Sequence, residues 1–163
     1  MNLQIHKARR RDLAVVVKLL AAMDSEEAMS VSRAAAIHRE MSRYPDYACY
    51  LALADGEAIG TFTLLVFPTL VHEGRREALV DGVVVHPEWR GRGIGGAMMA
   101  EAMRLAAHAG CYKLALSSNS RREDAHRFYR SLGFRQHGVS FWIDIVPLGN
   151  ANQAVRERVA ATG

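Results

Sequence analysis

At 163 residues the chain is long enough for one domain with a sizeable core and too short for two ordinary ones. Its 21 Lys and Arg against 17 Asp and Glu leave a net charge of +4, which suits an anionic ligand. The sequence has neither zinc-finger spacing nor a basic arm, which argues against nucleic acid as a partner. With no signal peptide at its start, no apolar run near the roughly 20 residues that span a bilayer, and two distant cysteines, we expect a cytoplasmic protein that contacts no membrane.

The first part of the chain predicts two helices and a hairpin. Residues 2–8 alternate weakly and predict a strand, and Asp12 stands as an N-cap before the apolar stripe "LAVVVKLLAAM". The run "SRAAAIHREMSRY" predicts a second helix that stops before Pro45. The run "YACYLALADGEAIGTFTLLVF" then predicts two strands around Asp55–Gly56, a dipeptide typical of two-residue hairpin turns. An antiparallel sheet therefore begins here.

The second part predicts a strand, turn, helix, strand, helix and closing hairpin. After a polar loop over 68–76, the valines of "EALVDGVVV" predict a strand buried on both faces. Helical periods follow in "IGGAMMAEAMRLAAHAG" and "RREDAHRFYRSLG", separated by the predicted buried strand "CYKLALSS". The run "FRQHGVSFWIDIV" predicts a closing hairpin. Residues 1–146 thus form one predicted domain with a mixed α/β sheet, and 147–163 a tail without an assigned role.

The turn "HPEWRGRGIGG" has two functional interpretations. Gly91, Gly93 and Gly96 match the dinucleotide fingerprint GxGxxG, but "HPEW" separates them from the strand and "CYKLALSS" supplies no acid for a ribose. As RxxGxG, with Arg90, Gly93 and Gly95, the turn exposes the unpaired N–H groups of a helix start to a phosphate. The glycines could instead serve close packing alone, but the neighbouring arginines favour the phosphate site.

Three segments, "VVVHPEWRGRGIGGAMM", "LSSN" and "AHRFYRSLGF", resemble in order and spacing the GNAT superfamily of N-acetyltransferases, over roughly residues 3–146. The resemblance implies a mixed, mostly antiparallel central sheet flanked by helices on both faces, acetyl-CoA as co-substrate, no metal, and a homodimer. It assigns coenzyme binding to Val83, Val84, Val85, Arg90, Gly91, Arg92, Gly93, Ile94, Gly95, Gly96 and Asn119. Asn119 could equally be an ordinary turn residue.

The resemblance also supplies a catalytic hypothesis. Tyr129 is the expected general acid for the departing thiolate, because a tyrosine hydroxyl has an ordinary pKa near 10. Asp81 is the candidate general base if it is partly buried, since by strand parity it shares a face with Val83 and Val85. An anchor for the acceptor, or a purely structural role, fits Asp81 equally well.

Weaker candidates for the base are Glu77, His72 and His86. The resemblance implies a small-molecule amine as the acceptor, in a cleft lined by the loop 68–76 and by residues 137–141. Arg121 and Arg122 would suit an anionic acceptor, although arginines at a helix start are usually solvated. Alternatives are a protein, peptide or aminoacyl-tRNA acceptor, and a coenzyme-binding sensor without catalytic activity.

Overall fold

The structure of the protein, a computed structural model, describes residues 1–24 and 27–143. The described residues divide into two compact units, one that ends at Phe128 and one that begins at Tyr129. The strands are β1 (Leu3–Lys7), β2 (Tyr47–Ala54), β3 (Glu57–Pro68), β4 (Arg76–Val85) and β5 (Cys111–Ala115), and the helices are α1 (Leu13–Asp24), α2 (Val31–Met41), α3 (Ile94–His108) and α4 (Glu123–Ser131). In these described ranges, no helix has the length and apolar content to cross a membrane.

The first unit is built on one sheet whose strands follow the order β1-β2-β3-β4-β5. Strands β1 to β4 pair antiparallel, and β5 pairs parallel to β4 after the crossover through α3. This confirms the predicted mixed, mostly antiparallel sheet. Because the crossover joins parallel neighbours, the segments that follow β4 and β5 lie at the same edge of the sheet.

Helices cover both faces of the sheet. On one face, Val16 and Leu19 of α1 form a buried cluster with Leu51 of β2. Leu51 is paired with Thr61 of β3. Gly60, the neighbour of Thr61, faces the other side, where an added Cβ would lie 2.7 Å from Sδ of Met98 in α3. Glycine at position 60 therefore permits the close approach of α3 to the sheet.

Local sequence signals account for several of these elements. Asp55 and Gly56 both have positive φ, 49° and 89°, which is the backbone of a two-residue hairpin turn. The Ser30 side chain accepts the Arg33 N–H at the start of α2. Within the sheet, Phe62 is fully buried and its ring stacks on that of Tyr50 at 5.0 Å between centroids.

Two predictions about the strands were wrong. From Ala78 to Asp81, β4 is buried on one face only, because Ala78 and Val80 are buried whereas Asp81 is exposed and Leu79 is 41% exposed; on the Asp81 face burial begins only at Val84. Over residues 134–143 the structure has no strand, so the first part of the predicted closing hairpin is not formed, and residues 144–146 lie outside the described residues. Apolar alternation predicts a strand only where a neighbouring strand completes its hydrogen bonds. The predicted tail, 147–163, also lies outside the described residues.

Candidate active site

The sheet opens between β4 and β5. The two strands pair in parallel as far as Leu79 and Ala115, and within the described residues no pairing follows. β4 nevertheless continues to Val85, which is still paired with Gly60 of β3. Residues 80–85 therefore have a strand neighbour on the β3 side and a gap on the β5 side.

Val85 directs its backbone polar groups into this gap. The N–H of the following residue, His86, donates to the Ile59 carbonyl of β3 at 2.8 Å. Because successive residues of a strand point their N–H and C=O groups to opposite sides, those of Val85 point away from β3. Arg90 Nε donates to the Val85 carbonyl at 3.2 Å, and this oxygen keeps a second lone pair. The gap thus offers a ligand one backbone donor and one acceptor.

A bulge in β4 changes which of its residues share a face. Asp81 pairs with Thr63 and Val84 pairs with Thr61, so two residues of β4 stand opposite one residue of β3. Gly82, at the bulge, has φ +57°, and its N–H donates to Asp81 Oδ1 at 2.8 Å. The Asp81 carboxylate therefore fixes the backbone of the bulge.

The bulge overturns the parity argument for Asp81. Asp81 lies on the same face as Val84, because their partners in β3 are two residues apart, and Val85 lies on the opposite face. The partial burial expected of a general base is also absent, since Asp81 is exposed. Any proton transfer by Asp81 would occur on the open face of the strand.

The turn between β4 and α3 forms a site suited to an anion. Gly91 and Gly93 have φ of +73° and +79°, and an added Cβ at either would meet nothing within 4 Å. Gly93 is the N-cap of α3, and the first intrahelical bond runs from the Ala97 N–H to the Gly93 carbonyl. The N–H groups of residues 94–96 therefore have no acceptor within the helix and point toward the turn.

Side chains at both ends of the turn hold it in place. Ile94 is 1% exposed and anchors the first residue of α3 in the core. The Arg92 guanidinium lies over the Trp89 ring, 4.9 Å from its centroid. Arg90 is bound to the Val85 carbonyl, so contacts with residues 85 and 89 hold the side chains of both arginines of the turn.

The segment after β5 meets this turn. A cavity of about 460 Å³ is lined by Arg90, Arg121, Arg122, Glu123, Asp124 and Ala125. Asn119 shapes its approach, because Oδ1 accepts the Arg121 N–H at 2.9 Å and its carbonyl accepts the Arg122 N–H at 3.0 Å. Asn119 is thus a turn residue whose side-chain amide group can still donate to a ligand.

Arg121 and Arg122 lie beside the glycine turn, a position that sequence reasoning did not assign. Both follow β5, and parallel strands bring the segments after their carboxyl ends to one edge of the sheet. That topological rule is the signal that could have located them. The positive charges of Arg121 and Arg122 lie with that of Arg90 in one cavity. Their presence therefore no longer requires the acceptor to be an anion.

Glu77 is occupied by neighbours on β5. The Tyr112 hydroxyl donates to Glu77 Oε1 at 2.8 Å, and Lys113 Nζ lies 3.1 Å from Oε2. The Tyr112 hydrogen bond, followed by that of Lys113, lowers the pKa of Glu77. A general base for an ammonium works best with a pKa near the operating pH, so this pairing argues against Glu77 in that role.

The two histidine candidates have different surroundings. The ring of His72 lies 5.2 Å from that of Tyr112, on the loop before β4 where residues 72–74 all have positive φ. His86 follows β4, and its Nδ1 is buried without a hydrogen-bond partner among the described residues. The surroundings of His72 and of His86 therefore identify neither residue as the general base.

Tyr129 belongs to the second unit. Its ring meets that of Phe134 edge-on at 5.8 Å between centroids, and its carbonyl accepts the N–H groups of Leu132 and Phe134 at the end of α4. Within the same unit Phe141 is 91% exposed. The general-acid role of Tyr129 stays a prediction.

Residues 14–134 match the model of the acetyltransferase (GNAT) family. The chain belongs to this family. Among GNAT relatives, glucosamine 6-phosphate N-acetyltransferase of Trypanosoma brucei brucei is 33% identical over 90 residues, which is 55% of this chain and 59% of that protein. Aminoalkylphosphonate N-acetyltransferase of Salmonella typhimurium is 37% identical over 91 residues, 56% of this chain and 58% of that protein.

A solved structure confirms that the fold is that of the GNAT family. A protein from Agrobacterium tumefaciens str. C58 superposes with a TM-score of 0.81 at 29% identity, covering 87% of this chain and 99% of that chain. The match to the two curated relatives is shorter, since it spans 59% and 58% of their lengths.

The pairing of Glu77 with Tyr112 and Lys113 makes the free energy of unfolding depend on pH in the acid range. A folded-state pKa below the ordinary value near 4.3 stabilises the fold above that value, and this stabilisation is lost as the pH falls through the folded-state pKa. We expect the free energy of unfolding, from urea titrations, to fall more steeply between about pH 5 and pH 3 in the wild type than in Glu77→Gln. Glu57→Gln, exposed at the start of β3, is the control. Equal slopes for the wild type and Glu77→Gln would contradict the prediction.

Proposed function

We propose that this protein transfers the acetyl group of acetyl-CoA directly to a primary amine of a small molecule. The observation that carries the proposal is the gap along residues 80–85, which ends at a glycine turn with free N–H groups of a helix. Membership of the GNAT family and the amine substrates named for the two relatives support it. Metal ligands have no part in it.

Backbone groups bind most of the coenzyme in this proposal. Val83 and Val85 hydrogen-bond the pantetheine arm in the gap, much as a neighbouring strand would, while the buried Val84 side chain anchors the strand between them. The side-chain amide of Asn119 adds a donor across the gap. This arrangement orders a flexible arm with groups that are already fixed in place.

The pyrophosphate belongs on the turn, where Gly91, Gly93, Ile94, Gly95 and Gly96 present backbone. Negative charge is stabilised there by the helix dipole and by the adjacent guanidinium groups. Glycine matters at position 93 because its φ is +79° and because any side chain would occupy the open space in front of the N–H groups.

The reaction forms a C–N bond and breaks the C–S bond of the thioester. The Val85 N–H, directed into the gap, is the proposed donor to the carbonyl oxygen, where negative charge develops. Asp81, exposed on the open face of β4 beside the gap, is the proposed acceptor of the first proton from the ammonium, and Tyr129 is the proposed donor of a proton to the departing thiolate. The nitrogen loses two protons in all, the first before it attacks and the second as the amide forms. One of them replaces the proton that Tyr129 gives to sulfur, and the other is released to water.

We also propose a homodimer in a reducing cytoplasmic compartment. Two free cysteines agree with reducing conditions. Val139, Phe141, Trp142 and Ile143 are exposed large apolar side chains of the second unit, and they support an interface with a second copy. Sedimentation equilibrium should give twice the 18.0 kDa chain mass, and a monomer at micromolar concentration would contradict the dimer.

The coenzyme site has a matched pair of test variants. Gly93 and Gly110 flank α3 with φ of +79° and +76°, and neither has a contact within 4 Å of an added Cβ. Glutamate therefore costs similar backbone strain at both, but only Gly93→Glu places a carboxylate at the phosphate site. We expect acetyl-CoA to bind at least about tenfold more weakly to Gly93→Glu than to Gly110→Glu, measured by isothermal titration calorimetry. Equal affinities would mean that the turn is not the phosphate site.

The catalytic roles predict a separation of kcat from binding. Tyr129→Phe and Asp81→Asn should each lower kcat about a hundredfold in a thiol-release assay with the best amine of a small-molecule and peptide panel, while the Kd for acetyl-CoA is unchanged. Asn at position 81 still accepts the Gly82 N–H, so the bulge is preserved. Activity within about twofold of the parent would remove the role tested. A raised KM with unchanged kcat in Asp81→Asn would identify an acceptor anchor instead.

A further inference from the structure

The cavity beside the glycine turn contains two arginines that the proposed reaction does not use. Arg90 is shared with the turn, whereas Arg121 and Arg122 follow β5. The other lining residues are the first three of α4. The cavity is open to solvent and mainly polar, and its volume of about 460 Å³ is large enough for a phosphate group.

The acids that line the cavity are already paired. Arg127, one turn further along α4, lies 3.8 Å from Glu123 and also pairs with Asp124. Among the described residues Arg121 and Arg122 make no ion pair with a carboxylate. The net charge facing the cavity is therefore positive, and its uncompensated groups are guanidiniums.

Backbone groups add to this positive character. The first intrahelical bond of α4 runs from the His126 N–H to the Arg122 carbonyl, so the N–H groups of residues 123–125 lack an acceptor in the helix. Two helix starts therefore have free N–H groups, that of α3 after the turn that contains Arg90 and that of α4 in the cavity itself. A single pyrophosphate on the turn of α3 satisfies only the first of them.

We propose that this cavity binds the 3′-phosphate of coenzyme A through Arg121 and Arg122, an assignment that rests on the function proposed above. Coenzyme A carries this phosphate monoester on the ribose next to the pyrophosphate, and Arg90 links the pyrophosphate turn to the cavity. A phosphate monoester carries about −1.5 to −2 charges at neutral pH and accepts bidentate hydrogen bonds from guanidinium groups. The cavity then makes the protein distinguish coenzyme A from its 3′-dephospho form.

Calorimetric titration with coenzyme A and with dephospho-coenzyme A tests the assignment. The wild type should bind coenzyme A about tenfold more tightly or better, as expected when charge-assisted hydrogen bonds are added. In Arg121→Gln/Arg122→Gln the two affinities should become nearly equal because coenzyme A binds more weakly, with dephospho-coenzyme A unchanged. The backbone N–H groups of both residues remain to bond Asn119, so the turn is retained.

A second variant tests the charge balance without altering the lining of the cavity. Arg127→Gln removes the partner of Glu123 and Asp124, so their negative charges would repel the 3′-phosphate. The ratio of the affinity for coenzyme A to that for dephospho-coenzyme A should fall, with the affinity for dephospho-coenzyme A unchanged. Arg11→Gln removes one charge outside the cavity lining and should preserve the wild-type ratio.

Three results would overturn the assignment. Equal wild-type affinities would show that the 3′-phosphate is not recognised. Equal losses for both ligands in the double variant would assign the arginines to the pyrophosphate. If neither ligand binds the wild type, the proposed function fails, and this assignment fails with it.

Discussion

The end of β4–β5 pairing at Leu79 and Ala115 is the constraint on which the rest of the site depends. Had β5 followed β4 to its end, it would have taken the hydrogen bonds of Val85, and a ligand would find only side chains there. Because β4 and β5 separate, the N–H and C=O groups of Val85 face a gap, and Arg90 donates to the Val85 carbonyl at one end of this gap. The same separation lets the segments after both strands form one positively charged edge.

Features specified by neighbouring residues could be predicted from the sequence. The hairpin at Asp55–Gly56 follows from residues that tolerate positive φ, and the start of α3 at Gly93 follows from a glycine turn before strong helix formers. The order of predicted strands and helices indicated the mixed sheet, and three short segments, around the glycine turn, Asn119 and Tyr129, indicated the family. Each turn, helix start and motif depends on a few consecutive residues, and the order of elements follows from adding such local signals along the chain, which is why a single sequence sufficed.

Features specified by partners distant in the chain could not be predicted. Strand parity fails at the bulge because Gly82 adopts a left-handed backbone, so Asp81 and Val85 lie on opposite faces. The exposure of Asp81 depends on which elements cover that face, and periodicity carries no such information. Arg121 and Arg122 acquire their position from the parallel pairing of β4 with β5, so their immediate neighbours along the chain gave no sign of it and only the order of the predicted elements could have done so.

The contiguity of the β4–α3–β5 crossover has an evolutionary consequence. The gap, the glycine turn and the arginine-lined cavity all come from one stretch, residues 80–125. The remaining strands and the first two helices supply a frame for that stretch and are not needed to form its ligand contacts. With the proposed coenzyme contacts confined to that stretch, mutations in the loops of the frame can accumulate without touching them, so the proposed acceptor site can change one loop at a time.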